Sequence, residues 1–384
     1  MRFPEFSGEW TKIKLRDLGS FFSGGTPSSS RKDYYGGEIP FIRSGELHSD
    51  STALSITKEA YDSCSAKMVN KGDLLLALYG ATSGDISISR ICGAINQAIL
   101  CIRPQYMDAY FIKSLWEKHK KHILETYLQG GQGNLSSEII KNISFFFPNS
   151  DEQVKISRLI HIIDDRIETQ SKIIEELTAL RSALHQGIMS TGLEDGSWRM
   201  QTLDEVLSER TELNNEGHAV HSVSVSKGIV NQIEYLGRSF AAKDTSRYHV
   251  AYPGDVIYTK SPTGEFPYGI VKQSQISIKA ALSPLYGVYV PISPEIGYII
   301  HNHFLSSRNA LNYLHPLIQK GAKNTINITN QRFLQNSMPL PTNKNAALLY
   351  YNAIKTVSDK IILEEMVMEK FQSQKSFLLK TMFI

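Results

Sequence analysis

Two stretches decide the fold: IHIIDDRIETQSKIIEELTALRSALHQGI at residues 160–188 and IKTVSDKIILEEMVMEKFQSQKSFLLKTM at residues 354–382. Stepping alternately by three and four residues through the first touches Ile160, Ile163, Ile167, Gln170, Ile174, Leu177, Arg181, Leu184 and Ile188. Adding 194 to each gives Ile354, Val357, Ile361, Glu364, Met368, Phe371, Lys375, Leu378 and Met382. This spacing is that of a coiled-coil seam, and its two polar interruptions fall at the same places in both copies. One such stripe would fit any amphipathic helix lying on a globular core. Two matched ones, each roughly 45–60 Å long at a rise of about 1.5 Å per residue, outreach an ordinary domain and point to a helical pair.

The interruptions suggest an orientation. An antiparallel pair whose partners sum to 545 sets Gln170 against Lys375, Arg181 against Glu364, Ile174 against Phe371 and Leu177 against Met368. Every polar seam residue then meets a polar partner, whereas a charge stranded against leucine costs several kcal/mol.

Working outward, the rest of the chain is also duplicated. Trp10, Ile13, Leu15 and Leu18 open the first half, and Trp198, Met200, Leu203 and Val206 open the second. A Gly-Asp turn feeds an apolar strand in each, Gly72-Asp73-Leu74-Leu75-Leu76 and Gly254-Asp255-Val256-Ile257-Tyr258. Helical patterns follow at about 108–128 and 297–319, then polar loops, Gly130-Gly131-Gln132-Gly133-Asn134 and Lys320-Gly321-Ala322-Lys323-Asn324. Phe145-Phe146-Phe147-Pro148 and Met338-Pro339-Leu340-Pro341 close the halves, where proline stops a strand and lets a helix begin. The organisation read from this is an α/β (α+β) chain: domain one at 1–150, a spacer helix at 151–190, domain two at 191–341 and a second spacer helix at 342–384.

Composition agrees with two or three folded units, since 384 residues at about 150 per domain exceed one. With 41% hydrophobic residues the chain has material for cores, and wholesale disorder is excluded. The longest apolar run, near Leu74 to Tyr79, is far shorter than a membrane span of about 20 residues, and MRFPEFSGEW lacks a signal-peptide core. A cytoplasmic, membrane-free protein is expected. Cys64, Cys92 and Cys101 form no metal or disulfide pattern and read as reduced, mostly buried thiols. A balance of 41 basic against 38 acidic residues, +3 overall, announces no partner.

This arrangement resembles the specificity subunit of type I restriction-modification enzymes, built from two target-recognition domains alternating with two long helical spacers. The residues carrying the resemblance are Gly24-Gly25-Thr26-Pro27, Ile39-Pro40-Phe41-Ile42-Arg43-Ser44-Gly45, Gly72-Asp73, Gln132-Gly133-Asn134-Leu135, and Asp151-Glu152-Gln153 after Pro148. The ending Leu180-Arg181-Ser182-Ala183-Leu184 to Met189 also fits. The second half departs from the pattern: Pro341-Thr342-Asn343-Lys344-Asn345 lacks Glu-Gln, and no Gly-Gly-Thr-Pro opens it. The resemblance implies a non-catalytic reader of double-stranded DNA that assembles with two modification (methyltransferase) subunits and with restriction (translocase and nuclease) subunits. No cofactor is expected on the chain itself, with S-adenosylmethionine and ATP held by those partners. The sequence has no Gly-x-x-x-x-Gly-Lys-Ser/Thr loop, no Asn-Pro-Pro motif and no Gly-x-Ser-x-Gly elbow.

Base reading needs donors and acceptors on exposed loops, with other contacts holding phosphates. The candidates are Arg43, Tyr79, Thr82, Ser83, Gln132 and Asn134 in the first half, and Lys260, Ser261, Thr263, Lys323 and Asn324 in the second. Arginine grips guanine through two hydrogen bonds, and glutamine or asparagine grips adenine. The plainer reading makes the Ser, Thr and Asn residues turn formers, pairs Arg43 with a local carboxylate and puts Tyr79 in the core. His301-x-His303 and His119-x-x-His122 have no accompanying cysteine or acid cluster, so they read as surface or helix-end histidines with no metal site. The turns 78–82 and 259–263 differ in sequence, which makes an asymmetric two-part target the expectation. The competing reading is a scaffold of duplicated rods that never meets DNA.

Overall fold

The computed structural model describes residues 2–128, 134–237, 244–320 and 326–383. The chain divides into two compact units, one of Met1–Lys172 with Glu365–Ile384, the other of Ile173–Glu364. Each contains parts of two long helices, Ser150–Asp195 and Lys344–Met382. Among the described residues no helix is long and apolar enough to cross a membrane.

The duplication is visible strand by strand. In the first unit an antiparallel sheet runs in the order Gly19–Ser23, Ile99–Pro104, Leu74–Ala77, Ile86–Ile88. The second unit repeats that order with Leu207–Glu209, Gly287–Pro291, Val256–Tyr258 and Val271–Gln273. Each unit's opening strand pairs with its closing one, Thr11–Lys14 with Ser144–Phe147 and Trp198–Thr202 with Ser337–Pro341. Beside the first sheet lies a second, ordered Ser55–Ile56, Tyr35–Ile42, Gly93–Ile95, Lys67–Val69, in which the two middle strands run parallel. Its counterpart in the second unit is the pair His249–Ala251 with Ala280–Leu282, and a hairpin, His221–Ser224 with Gly228–Asn231, lies in the same unit.

Proline does what the sequence suggests: strands end at Phe147 and Pro341, and the long helices begin at Ser150 and Lys344. Both beginnings are capped alike. The Asn149 side chain accepts from the Glu152 amide at 2.9 Å, and that of Asn343 accepts from the Ala346 amide at 3.0 Å, satisfying donors the first turn would leave orphaned. Only the first has Glu152 and Gln153, and each has a local task. Glu152 is buried in a two-bond pair with Arg2, and Gln153 donates to the Pro148 carbonyl. The helical pattern at 108–128 is one helix, Ala109–Tyr127, but the pattern at 297–319 is not. There the chain forms Pro294–His303 and Ser307–Leu314, because the Ser306 hydroxyl caps the amide of Asn309 and starts a new helix.

None of the eighteen seam positions is exposed. The helices run antiparallel within each unit, but the register differs from the sum of 545. In the first unit Lys375 bonds Asp164 at 2.8 Å and Arg166 lies over the Phe371 ring at 5.8 Å, giving sums of 539 and 537. In the second, His185 bonds the Tyr350 hydroxyl at 2.6 Å, a sum of 535. The slip is 6 and 8 residues in the first unit, close to one heptad, and 10 in the second. Its cause is that the polar seam residues find partners off the seam. Lys375 bridges Asp164 and Glu117, the latter on helix Ala109–Tyr127, and Lys113 of that helix bonds the same two acids at 2.8 and 3.1 Å. Burial opposes charge on both Asp164 and Lys375, yet the partners prevail, so the carboxyl is held below its usual range and the ammonium above its own. Glu364, expected to face Arg181, pairs with Lys360 one turn back.

His301 and His303 lie in the last turn of helix Pro294–His303, helix-end residues as expected, but they pack inward and are not surface residues. His303 is 9% exposed, with its ring 5.6 Å from that of buried His185, and the His301 Nδ1 accepts from the Gln273 amide at 3.2 Å. Burial pushes His185 down to about 4 and both His301 and His303 to about 3, with the charges of Arg181 and Lys272 adding to the shifts of His185 and His301. Burial likewise lowers Lys272 to about 8. The folded state keeps these rings neutral, while the unfolded chain protonates them below about pH 6.5. Their contribution is therefore complete above pH 6.5 and is lost as pH falls toward 4 for His185 and toward 3 for His301 and His303, at about 2 kcal/mol per histidine by pH 5. Chemical unfolding of the second unit should show a midpoint that drops steeply between pH 6.5 and 5, with His303→Gln flattening the slope; a midpoint independent of pH across that range would contradict this.

Candidate nucleic-acid interface

Each unit anchors its sheet on the repeated Gly-Asp turn. Gly72 and Gly254 adopt φ of 97° and 91°, a left-handed conformation that favours glycine. The aspartate that follows folds back onto an amide three residues earlier, Asp73 onto Asn70 and Asp255 onto Tyr252, each at 2.8 Å. An arginine then grips it through two nitrogens. Arg103 reaches Asp73 at 2.6 Å from the neighbouring strand, and Arg210 reaches Asp255 at 2.7 Å from just past strand Leu207–Glu209. The same acid is held from different strands, so the copies share an anchor and differ in how it is tied.

The far ends of these strands carry the candidate residues. In the first unit, strand Leu74–Ala77 runs into Leu78-Tyr79, and the Leu78 amide bonds the Ala98 carbonyl at 2.8 Å. Tyr79 bridges Asn134 in antiparallel fashion and its hydroxyl donates to the Gln97 carbonyl. Thr82 and Ser83 sit in the next turn, where the Ser83 hydroxyl donates to the Leu78 carbonyl at 3.0 Å. That turn is pinned from below, since the Trp116 indole donates to the Gly84 carbonyl at 2.8 Å and Lys120 bonds Asp85. Tyr79, Asn134, Thr82 and Ser83 are thus brought together on a supported platform.

Arg43 leaves the end of strand Tyr35–Ile42, whose parallel neighbour Gly93–Ile95 leads into Asn96-Gln97. It is occupied locally: its side chain bonds Glu46 at 3.2 and 3.3 Å, raising the arginine pKa. Burial raises Glu46, but Arg43 and the amides of Ala53 and Arg43 outweigh it and hold the carboxyl down. Arginine has five donors, so a pair with Glu46 through two nitrogens leaves others for a ligand.

In the second unit Lys260 is half-buried, and desolvation lowers its pKa against the opposing charge of Glu209. Glu209 accepts from the Asn330 side chain. Ser261 and Thr263 are exposed on a tight turn closed by two backbone bonds between Thr263 and Phe266, at 2.9 and 3.1 Å. Gln132, Lys323 and Asn324 lie outside the described residues. Among the described residues no group of three or more His, Cys, Asp or Glu side chains could hold a metal ion.

Sequence reasoning missed Gln97, Asn96 and the role of Thr26. The signal that could have found them is positional: Asn96-Gln97-Ala98 joins the last strand of one sheet to the next strand of the other. Ser283-Pro284-Leu285-Tyr286 joins the matching strands of the second unit, with Leu285 68% exposed where the first unit presents a glutamine.

Residues 7–179 match the family described as type I restriction modification DNA specificity domain. The chain is 28% identical over 183 residues to the type I restriction enzyme MjaIX specificity subunit of Methanocaldococcus jannaschii, covering 44% of this chain and 42% of that protein. It is 26% identical over 187 residues to the HindI specificity subunit of Haemophilus influenzae, covering 46% and 40%. The match thus spans about two fifths of the length of these relatives. The structure of the type I restriction-modification system S subunit from M. genitalium aligns over 100% of this chain and 99% of that one, with a TM-score of 0.64 and 12% identity, a likeness of fold. Family, curated relatives and fold agree that the chain resembles type I specificity subunits.

The anchors make a stability prediction. The Asp255 side chain is 3% exposed and Arg210 21%, while Asp73 and Arg103 are 11% and 37% exposed. Breaking a buried pair from one side costs about 3–5 kcal/mol, and a more solvated one less. Asp255→Ala should lower the unfolding midpoint of its unit more than Asp73→Ala lowers that of the other; equal or reversed losses, followed by hydrogen exchange in each unit, would contradict the reading.

Proposed function

We propose that this chain reads DNA sequence as the specificity subunit of a type I restriction-modification complex. The observation that carries the reading is that a specificity-domain match over residues 7–179 coincides with a fold whose strand order is repeated in the second unit. In both units a repeated anchor supports turns of different chemistry: Leu78-Tyr79-Gly80-Ala81-Thr82 in one, Thr259-Lys260-Ser261-Pro262-Thr263 in the other. Two readers with different tips specify an asymmetric target in two parts. By analogy with dimeric readers, the centres of the two parts lie about 34–36 Å apart, one turn of the duplex.

In this reading the chain performs no chemical step. Modification subunits supply methyl transfer with S-adenosylmethionine, and restriction subunits supply ATP-driven cleavage. A net charge of +3 gives the isolated chain little phosphate neutralisation, so tight and salt-dependent binding belongs to the assembled complex. The work takes place in the cytoplasm, where duplex DNA and both partners reside.

Mapping methylated bases in cells with and without the chain tests this. Its removal should abolish one two-part methylation motif, and replacing residues 1–150 by those of a relative should change one part of the motif and leave the other. An unchanged methylation map would overturn the proposal in favour of a scaffold.

A further inference from the structure

The turn Asn96-Gln97-Ala98 carries an exposed glutamine held from two sides. The Tyr79 hydroxyl donates to its backbone carbonyl, and the Thr26 hydroxyl donates to its side-chain oxygen at 2.5 Å. A third contact fixes the turn itself, because the Asn96 side chain accepts from the Ala98 amide at 3.2 Å. Thr26 reaches this position only because Gly24 precedes it. A Cβ on Gly24 would sit 1.7 Å from the Ile95 carbonyl oxygen, and the Gly24 amide bonds the Asn96 carbonyl at 3.3 Å. The glycine therefore lets one segment lie against the other and deliver the threonine hydroxyl.

Exposed glutamine side chains are ordinarily free rotors, and fixing one costs conformational entropy of up to about 2 kcal/mol. Here the tether has met that cost before any ligand arrives. The tether also sets the amide's orientation. Its oxygen has two lone pairs, of which Thr26 takes one, and its nitrogen has two hydrogens, neither used by Thr26. What remains is one acceptor beside a donor, which matches the N6 donor and N7 acceptor of adenine in the major groove.

We propose that Gln97 reads an adenine in the part of the target recognised by the first unit, with Thr26 and Tyr79 as its positioning residues. The inference rests on the DNA-reading function proposed above. Arg43 and Asn134, at the same end of the strands, are its candidate neighbours on the duplex.

The test uses the chain assembled with its modification subunits and a panel of duplexes, each changed at one position of the methylation motif. Gln97→Ala should erase discrimination at a single adenine, about tenfold to a hundredfold, and leave every other position as selective as before. Thr26→Val should relax the same position partially, and Thr26→Ser should restore it, which a merely structural role for Thr26 would not produce. Discrimination unchanged in Gln97→Ala, or a loss spread evenly over all positions, would overturn the assignment. These results are distinguishable from failure of the parent reading. If replacing residues 1–150 also leaves the motif unchanged, the DNA-reading function itself fails; if that replacement changes the motif while Gln97→Ala does not, only the role of Gln97 falls.

Discussion

A ring of four partly buried charges governs how the long helices meet in the first unit. Lys113 and Lys375 alternate with Glu117 and Asp164, all at 2.7–3.1 Å, and each side chain is at most 22% exposed. Desolvating four charges is costly, and the ring tolerates it because each ion faces two opposite ones. Removing one lysine would leave two acids sharing the other. Shifting one helix by a heptad would separate Lys375 from both acids at once. The ring thus discriminates among registers that a purely apolar stripe, repeating every seven residues, would accept almost equally. The second unit uses a neutral device for the same end, the His185–Tyr350 bond inside a core of Trp198, Ile354 and the buried histidines.

The duplication separates what must stay from what varies. Both units keep the Gly-Asp turn, its arginine grip, the four-strand order and the asparagine cap of a long helix. They differ where strands hand over to turns: Tyr79 against Lys260, Gln97 against Leu285, and, among the described residues, a glycine-threonine approach in the first unit. Each copy thus keeps a common frame below and changes the side chains at its tips, the places where loops ordinarily carry function.

The architecture was legible in the sequence because its signals are long. A seven-residue period sustained over about thirty residues and a shift of about 190 between halves outweigh local ambiguity. The register was not legible, because pairing polar seam residues with one another ignores the domain that packs beside the seam. Glu117 lies on a different helix, and nothing in the spacing of residues 354–382 reveals it. The helix-end position of His301 and His303 was legible but their burial was not, for the same reason: they sit on one short helix whose buried face is defined by strand Val271–Gln273 and by the long helices. At the candidate interface, Tyr79 and Asn134 could be picked because a turn residue and a polar loop recur in both halves. Gln97 could not, since its placement depends on Thr26, seventy-one residues away, and on a glycine that leaves space for the approach.

The register is the claim on which the rest turns, and cysteine crosslinking in a chain with Cys64, Cys92 and Cys101 replaced measures it directly. Ile167 and Gln372 line one cleft of the first unit and sum to 539. Cysteines at 167 and 372 should form an intramolecular disulfide under mild oxidation, while cysteines at 170 and 375 should remain reduced. Rapid bonding of the 170–375 pair with the 167–372 pair left free would contradict the account and return the helices to the polar-paired register.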